Sequence, residues 1–235
     1  MVRWPGDRTD RHRIRPPPRG GGRVTAAPAR PRLVPLSSVE LADHLGEALD
    51  VYVAAMGYPP GTARQRRNLW LEHSRRPGWR CTGWLDPGGH LIGIAYGYSG
   101  GHGQWWFEEV RRGLAARGMS REIGQPDWLR DYFELTELHV LPESQGGGLG
   151  EQLLRLLLAG CPARSVLLST PELDPRRPAR AWRLYRRLGF SDVLRSHHFV
   201  GDPRPFAVLG RTLPLPPAPD GHDGPAGSDG SRPGA

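Results

Sequence analysis

The amino-acid sequence predicts an α/β (α+β) domain in which helices pack on the faces of a mixed central sheet. Three observations lead to this fold class. Predicted strands and helices follow one another in the order β α α β β α β α β α β β, and two of the helices begin with capping-box spacing. A cluster of four glycines also separates a predicted strand from a leucine-rich helix, which marks a tight strand-to-helix turn.

The first elements are a strand and two amphipathic helices. Residues 32–36 form a short apolar run that is typical of a strand. Ser37 with Glu40, and then Thr62 with Gln65, have the spacing of a capping box at the start of each helix. Apolar residues recur at helical spacing after each of these starts, so both helices are expected to pack one face on the sheet.

The later elements complete the sheet. Residues 79–101 hold two β-rich runs joined by an Asp-Pro-Gly-Gly turn, which predicts a hairpin. In residues 131–140 apolar and polar residues alternate, as in a strand. The remaining predicted elements are a helix at 103–118, the leucine helix after Gly150, a strand at 165–170, a helix at 178–190, and closing strands at 197–201 and 206–214.

Both ends of the 235-residue chain differ in composition from the part between them. Residues 1–32 are rich in Arg and Pro and have few aliphatic residues, and residues 214–235 are mostly Pro, Gly and Ala. Such segments bury too little apolar surface to offset the entropy lost on ordering. We therefore expect a disordered arm and a disordered tail around one domain at residues 33–213.

Charge and cysteine content exclude several classes of function. The net charge is +8, and most of it lies in the N-terminal arm, so the domain itself is not expected to bind nucleic acid. The arm alone could bind polyanions weakly and in a salt-dependent way. The two cysteines have no metal-site or disulfide spacing. No apolar run is long enough to cross a membrane and no signal-peptide pattern is present, so we expect a cytoplasmic protein without a membrane span. No bound metal is expected either.

The glycine cluster lies in the sequence QGGGLG, residues 145–150. Its main-chain amides and the start of the following helix are expected to face one space, where absent Cβ atoms let a phosphate approach. A dinucleotide fingerprint is excluded because position 151 is Glu151 instead of glycine, and the Lys-Ser/Thr of a P-loop is missing. An ordinary helix-capping turn is the alternative, but one or two glycines would be enough for it.

Gln145, Gly148 and Gly150 instead match the pattern (Gln/Arg)-x-x-Gly-x-(Gly/Ala), in which the chain resembles the GNAT superfamily of acyl-CoA-dependent N-acetyltransferases. The later stretch ARAWRLYRRLGF is similar to the family's Ala-x-x-Leu-Tyr-x-x-x-Gly-Phe helix. One departure is Pro178, which stands where the family often has Asn. The resemblance implies a mostly antiparallel sheet of six to seven strands with helices on both faces. It also implies acetyl-CoA as the co-substrate.

The resemblance implies a set of residues that bind coenzyme A. The glycine loop would hold the pyrophosphate, and the main chain at the end of the 131–140 strand would pair with the pantetheine arm like an added strand. These residues are Leu138, His139, Val140, Gln145, Gly146, Gly147, Gly148, Leu149, Gly150 and Tyr185.

Acetylation of an amine by a thioester needs a base for the amine and an acid for the departing thiolate. Tyr185 is the predicted acid because it matches the family's tyrosine near the sulfur, although it also lies on an apolar helix face that could be core. Glu134 is the predicted base because it lies eleven residues before Gln145. Glu137 and His139 are rivals, and regular alternation would place them on the opposite face of the strand from Glu134. A bulge, which is common there in the family, would change this.

The acceptor site has the weakest sequence signal. By resemblance it involves the first two helices and the segment after the hairpin, where Trp105 and Trp106 could line a pocket. Glu137 is a further substrate-site candidate. An amphipathic helix with its Trp residues in the core explains the segment equally well.

The resemblance predicts acetyl transfer from acetyl-CoA to a primary amine of a small molecule or peptide. A non-catalytic acyl-CoA-binding or partner-binding domain is the alternative. In some relatives the closing strands mediate a dimer, so a homodimer stays open.

Overall fold

A computed structural model describes residues 30–118, 127–172 and 180–217 of the chain. In these ranges seven strands form one sheet with the spatial order β1-β2-β3-β4-β5-β7-β6. The strands are β1 (Arg32–Pro35), β2 (Arg80–Leu85), β3 (Leu91–Ser99), β4 (Tyr132–Val140), β5 (Ser165–Pro171), β6 (Ser191–His197) and β7 (Phe206–Thr212). All neighbouring pairs are antiparallel except β4 and β5. The predicted fold class is confirmed.

The helices begin close to their sequence signals, but the first predicted helix is divided in two at His44. They are α1 (Ser38–Asp43), α2 (Leu45–Met56), α3 (Thr62–His73), α4 (Trp105–Ala116), α5 (Leu149–Leu158) and α6 (Arg180–Arg187). The capping box at Ser37 is present, since the amide of Glu40 donates to Ser37 Oγ at 3.2 Å and the Glu40 carboxylate accepts from the Ser37 amide at 2.7 Å. The predicted capping role of Thr62 is wrong, because Gly61 caps α3 without a side-chain hydrogen bond.

Helices cover both faces of the sheet. Helices α1 to α3 pack on the half formed by β2, β3 and β4, with Leu45, Tyr52 and Trp70 against Ile94 and Tyr96. Helix α4 covers the other half of that face, over β5, β6 and β7. Helices α5 and α6 pack on the opposite face. Each fully buried Leu of α5 stabilises the fold by about 2 kcal/mol through removal of apolar surface from water.

The predicted strand at residues 197–201 is wrong. The strand β6 runs from Ser191 to His197 and the chain then turns, with Phe199 buried against the rings of His197 and Phe206. Two register irregularities in β6 place Val193 and Leu194 side by side in the core. This breaks the alternating pattern by which a strand is detected in a sequence.

Several expectations lie wholly or mainly outside the described residues, namely the arm, the tail and the position of Pro178. Within the described ranges, no helix is long and apolar enough to cross a bilayer. In the same ranges, no group of three or more His, Cys, Asp or Glu residues is placed to hold a metal ion.

Candidate active site

Strands β4 and β5 pair at one end and separate at the other. Their parallel register covers only Tyr132 to Glu134 on β4, although β4 continues to Val140. The amide of Leu141 donates to the carbonyl of Ile92 at 2.9 Å, so main-chain groups of alternate residues face β3 from this point. The main-chain groups of Leu138 and Val140 therefore face the gap between β4 and β5. The main-chain groups of His139 face β3 and pair with it.

The glycine loop closes one end of this gap. Gly146 and Gly148 have φ values of +100° and +79°, which side chains rarely adopt, and Gly148 is the N-cap of α5. Within the described residues, no atom beyond Gly146 and its two chain neighbours lies within 4 Å of the position where a side chain would begin at Gly146. The first amides of α5 have no partner one turn earlier, so the loop offers main-chain donors and open space to an anion. This arrangement fits the pyrophosphate of coenzyme A.

Gln145 joins the loop to the end of β4. Its Nε2 donates to the Val140 carbonyl at 2.9 Å, and its Oε1 accepts from Arg180 Nη1 at 3.2 Å. Gln145 therefore holds the loop against the gap and brings an arginine of α6 beside it. The sequence pattern indicated Gln145, but Arg180 had no signal of its own.

Tyr185 lies on α6 in the core cluster that contains the leucines of α5. Its ring centroid is 5.5 Å from that of Phe190, and only 6 % of the residue is exposed. Burial, with a smaller contribution from the Glu137 carboxylate, raises the pKa of the Tyr185 hydroxyl above its ordinary value. The phenol therefore stays protonated at neutral pH, as an acid must, while its packing also matches the core alternative. The catalytic role stays a prediction.

A β-bulge decides which β4 side chains share a face. Tyr96 lies opposite Glu137 while Gly97 lies opposite Leu135, so Thr136 is the extra residue on β4. Glu134 and the pair Glu137 and His139 consequently point to the same face, toward α2 and α3. The expectation from regular alternation, which separated Glu134 from the other two, is wrong.

The carboxyl group of Glu134 is buried in an aromatic setting. Glu134 is 4 % exposed and accepts a hydrogen bond from Tyr98 Oη at 3.0 Å, while its Oε2 has no partner among the described residues. Burial raises its pKa to about 7, although the Tyr98 hydrogen bond and the charge of Arg76 oppose the shift. The guanidinium of Arg76 lies 4.6 Å from the Tyr98 ring centroid. Sequence reasoning missed Tyr98 and Arg76, since only the sheet register and α3 packing bring them to Glu134.

Glu137 and His139 form a second polar pair on the same face. Glu137 Oε2 lies 2.5 Å from His139 Nε2. The His139 ring packs edge-on against Tyr52 of α2, with centroids 5.1 Å apart. The side chain of His139 therefore faces the helices, and its main chain, which was predicted to pair with the pantetheine arm, is directed toward β3 instead of the gap.

The two predicted acceptor-site tryptophans occupy different environments. Trp106 is buried, and its Nε1 donates to Ser169 Oγ at 3.2 Å, so it belongs to the core beneath α4. Trp105 is 57 % exposed and packs against Phe199, with centroids 5.5 Å apart. Of the two, only Trp105 is available to a ligand at the surface.

Known proteins resemble this chain in sequence and fold. A family model described as an acetyltransferase (GNAT) domain matches residues 101–192. The GCN5-like protein acetyltransferase Rv2170 of Mycobacterium tuberculosis is 47% identical over 204 residues, which cover 78% of this chain and 98% of that protein.

Solved structures give the same fold at low identity. A GNAT-family protein of Desulfovibrio desulfuricans superposes with a TM-score of 0.52 and 15% identity, covering 77% of this chain and 98% of its own. A protein of Acinetobacter baylyi described as an acetyltransferase superposes with a TM-score of 0.52 and 16% identity, covering 80% of this chain and 96% of its own.

Proposed function

The chain belongs to the GNAT superfamily of acetyltransferases, and from this premise we propose that it transfers the acetyl group of acetyl-CoA to a primary amine. The observation that carries the proposal is the gap between β4 and β5, which ends at the glycine loop. The gap presents the main-chain groups of Leu138 and the amide of Val140 to an extended chain, and the loop presents amides to a pyrophosphate. Both parts of coenzyme A are thereby matched in the right order.

The residues that would hold coenzyme A come from three elements. The main chain of Leu138 and Val140 would pair with the pantetheine arm, and the amides of residues 146–150 would bind the pyrophosphate. Gln145 would keep the loop in place through its hydrogen bond to Val140. Bound acetyl-CoA would supply the acetyl group as a thioester. No metal is required for this chemistry.

Proton transfer is assigned to Glu134 and Tyr185. An alkyl amine is only about one part in a thousand neutral near pH 7.4, so a base is needed before it can attack. Glu134 is suited to this role because its pKa of about 7 lets it accept a proton at neutral pH, and its Oε2 is free of other partners within the described residues. Tyr185 would donate its proton to the departing thiolate, since burial keeps its hydroxyl protonated.

The acceptor is proposed to be a lysine amine of a peptide or protein, with small-molecule amines as the second class. This choice is supported by the relative from Mycobacterium tuberculosis, which is named a protein acetyltransferase and is 47% identical. The acidic residues of α4 are not part of the proposed acceptor site, because Glu108 and Glu109 pair with Arg111 and Arg112. Trp105 stays a candidate contact at the surface.

The test is an amine panel with acetyl-CoA, in which the release of free CoA thiol is followed. We expect turnover with lysine peptides and a lower rate for Glu134→Gln. Glu137→Gln is the matched control, since it removes the other carboxylate of the same face. Loss with Glu137→Gln alone would transfer the role of base to Glu137. CoA binding without turnover on any amine would favour the non-catalytic alternative.

A further inference from the structure

Two loops meet over the aromatic residues that pack on β4. Both Nη1 and Nη2 of Arg204, in the β6–β7 loop, donate to the hydroxyl of Tyr58, in the α2–α3 turn, at 3.2 Å. The Tyr58 ring packs on Tyr52, with centroids 5.4 Å apart, and Tyr52 packs on His139. The contacts thus run without a break from the surface loops to His139 of β4, which forms the floor of the proposed acceptor cleft.

Helix α3 forms a wall of the same cleft. Trp70 and His73 are buried on its inward side, and Arg66 precedes them on that side by about one helical turn. Burial lowers the pKa of His73 to about 4, and Arg76 and Arg66 contribute to the same shift. Arg66 also lies near enough to Asp202 of the β6–β7 loop to help lower its pKa, after the larger effect of Arg204. Arg66 also contacts the hydroxyl of Tyr52, where it opposes the rise in pKa that burial causes, so it lies at the edge of the same aromatic cluster.

The arginines of the cleft differ in their partners. Arg76 pairs with Glu72 at 3.5 Å, and Arg204 pairs with Asp202 at 2.6 Å. Arg66 is exposed and, in the ranges that the structure describes, forms no ion pair. The electrostatic potential around Arg66 on this helix is also positive, because residues 62–76 contain five Arg and a single Glu. An amine that enters alone, or with further cations beside it, meets repulsion at this wall.

We infer that Arg66 binds a carboxylate next to the reacting amine, so that the preferred acceptor is a peptide lysine with Asp or Glu neighbours. This inference rests on the proposed acetyl transfer and adds the charge of the sequence around the acceptor lysine. A flanking carboxylate would supply the ion-pair partner that Arg66 lacks within the described residues, in addition to its contact with Tyr52, and the lysine amine can then extend toward Glu134. Arginine suits this role because its planar guanidinium binds a carboxylate through two parallel hydrogen bonds. Polycationic acceptors are disfavoured by the same wall.

The experiment uses the full chain and three peptides that differ only in the residues flanking one lysine: Asp, Ala or Arg. Initial rates of CoA thiol release give kcat/KM, and calorimetry with CoA present gives the Kd of each peptide. Variants Arg66→Gln and Arg66→Glu are compared with Arg64→Gln. The control makes the same charge change on the same helix, on the opposite side, because two residues correspond to about 200°.

We expect the Asp peptide to exceed the Arg peptide by about tenfold in kcat/KM, since an exposed charge pair contributes up to about fivefold and the change of peptide alters more than one pair. Arg66→Gln should reduce this preference to about twofold, Arg66→Glu should reverse it, and Arg64→Gln should leave it unchanged. Raised salt should weaken the preference of the wild type.

The possible results separate the role of Arg66 from the proposed acetylation of peptides. Turnover of all three peptides at equal rates, or a preference that survives Arg66→Glu, would contradict the inference and leave acetyl transfer standing. If no peptide is acetylated, the proposed peptide acetylation fails. Equal Kd values for the Asp and Arg peptides would then also overturn the role of Arg66.

Discussion

The buried carboxyl group of Glu134 should make the stability of the protein depend on pH in a way that Glu134→Gln removes. The pKa of Glu134 is about 7 in the folded protein, against an ordinary value of 4.5. Since one pKa unit corresponds to about 1.4 kcal/mol, ionisation of Glu134 in the folded state costs about 3 kcal/mol in full. A raised pKa favours the folded state below the unfolded value, and this advantage is lost as pH rises through 7.

The assay is urea unfolding of the wild type and of Glu134→Gln at pH 5 and at pH 8. Glutamine keeps the shape of the side chain and has no charge to bury. From pH 5 to pH 8 the variant should therefore gain about 2 kcal/mol in free energy of unfolding relative to the wild type. Other titrating groups, including His73, act equally in both proteins and cancel in this difference.

Glu151→Gln is the control for this experiment. Hydrogen bonds from Arg187 and Arg155, the former the larger effect, hold the pKa of Glu151 below its ordinary value. Such a carboxylate contributes stability above the unfolded pKa and loses it only as pH falls through the folded pKa. Its removal should thus cost nearly the same at pH 5 and at pH 8. A constant offset for Glu134→Gln as well would refute the raised pKa of Glu134 and its suitability as a base.

Three further predictions concern catalysis and binding. In the wild type kcat/KM should rise with a pKa near 7, because Glu134 must lose its proton to act as base, and Glu134→Gln should lack this rise while Glu137→Gln keeps it. Gly148→Val should weaken CoA binding at least about tenfold by calorimetry. Gly160→Val is the control, because Gly160 also has a positive φ and lies at the other end of α5. Both variants should lose about 1–3 kcal/mol in free energy of unfolding, but Gly160→Val should bind CoA as the wild type does. Tyr185→Phe should lower kcat about 100-fold with unchanged acetyl-CoA affinity and melting temperature if its hydroxyl is the acid, and unchanged turnover would assign Tyr185 to the core.

Local signals in the sequence were sufficient to predict the glycine loop and the helix that follows it. The glycines with positive φ, the leucine periodicity of α5 and the capping box at Ser37 each depend on residues close in the chain. The order of strands and helices likewise predicted the sheet, because connections between neighbouring elements are short.

Regular alternation did not predict the shared face of Glu134, Glu137 and His139. That face depends on one inserted residue, Thr136, and the two adjacent polar residues Thr136 and Glu137, which break the alternation, were the sequence signal for it. Trp105 and Trp106 posed a similar problem, since adjacent helical residues point about 100° apart and only packing against β5 decides which is buried. The hydrogen bond from Tyr98 to Glu134 and the packing of Arg76 on the Tyr98 ring arise from tertiary packing alone.

Acetyl transfer to a lysine peptide is best tested by measuring both products of one reaction. The full chain is incubated with acetyl-CoA and a lysine peptide, free CoA thiol is titrated, and the acetylated peptide is quantified by mass spectrometry. Acetyl transfer predicts one acetylated lysine for each thiol released, with both products strongly reduced in Gly148→Val. Thiol release without acetylated peptide, or CoA binding with neither product, would contradict the claim.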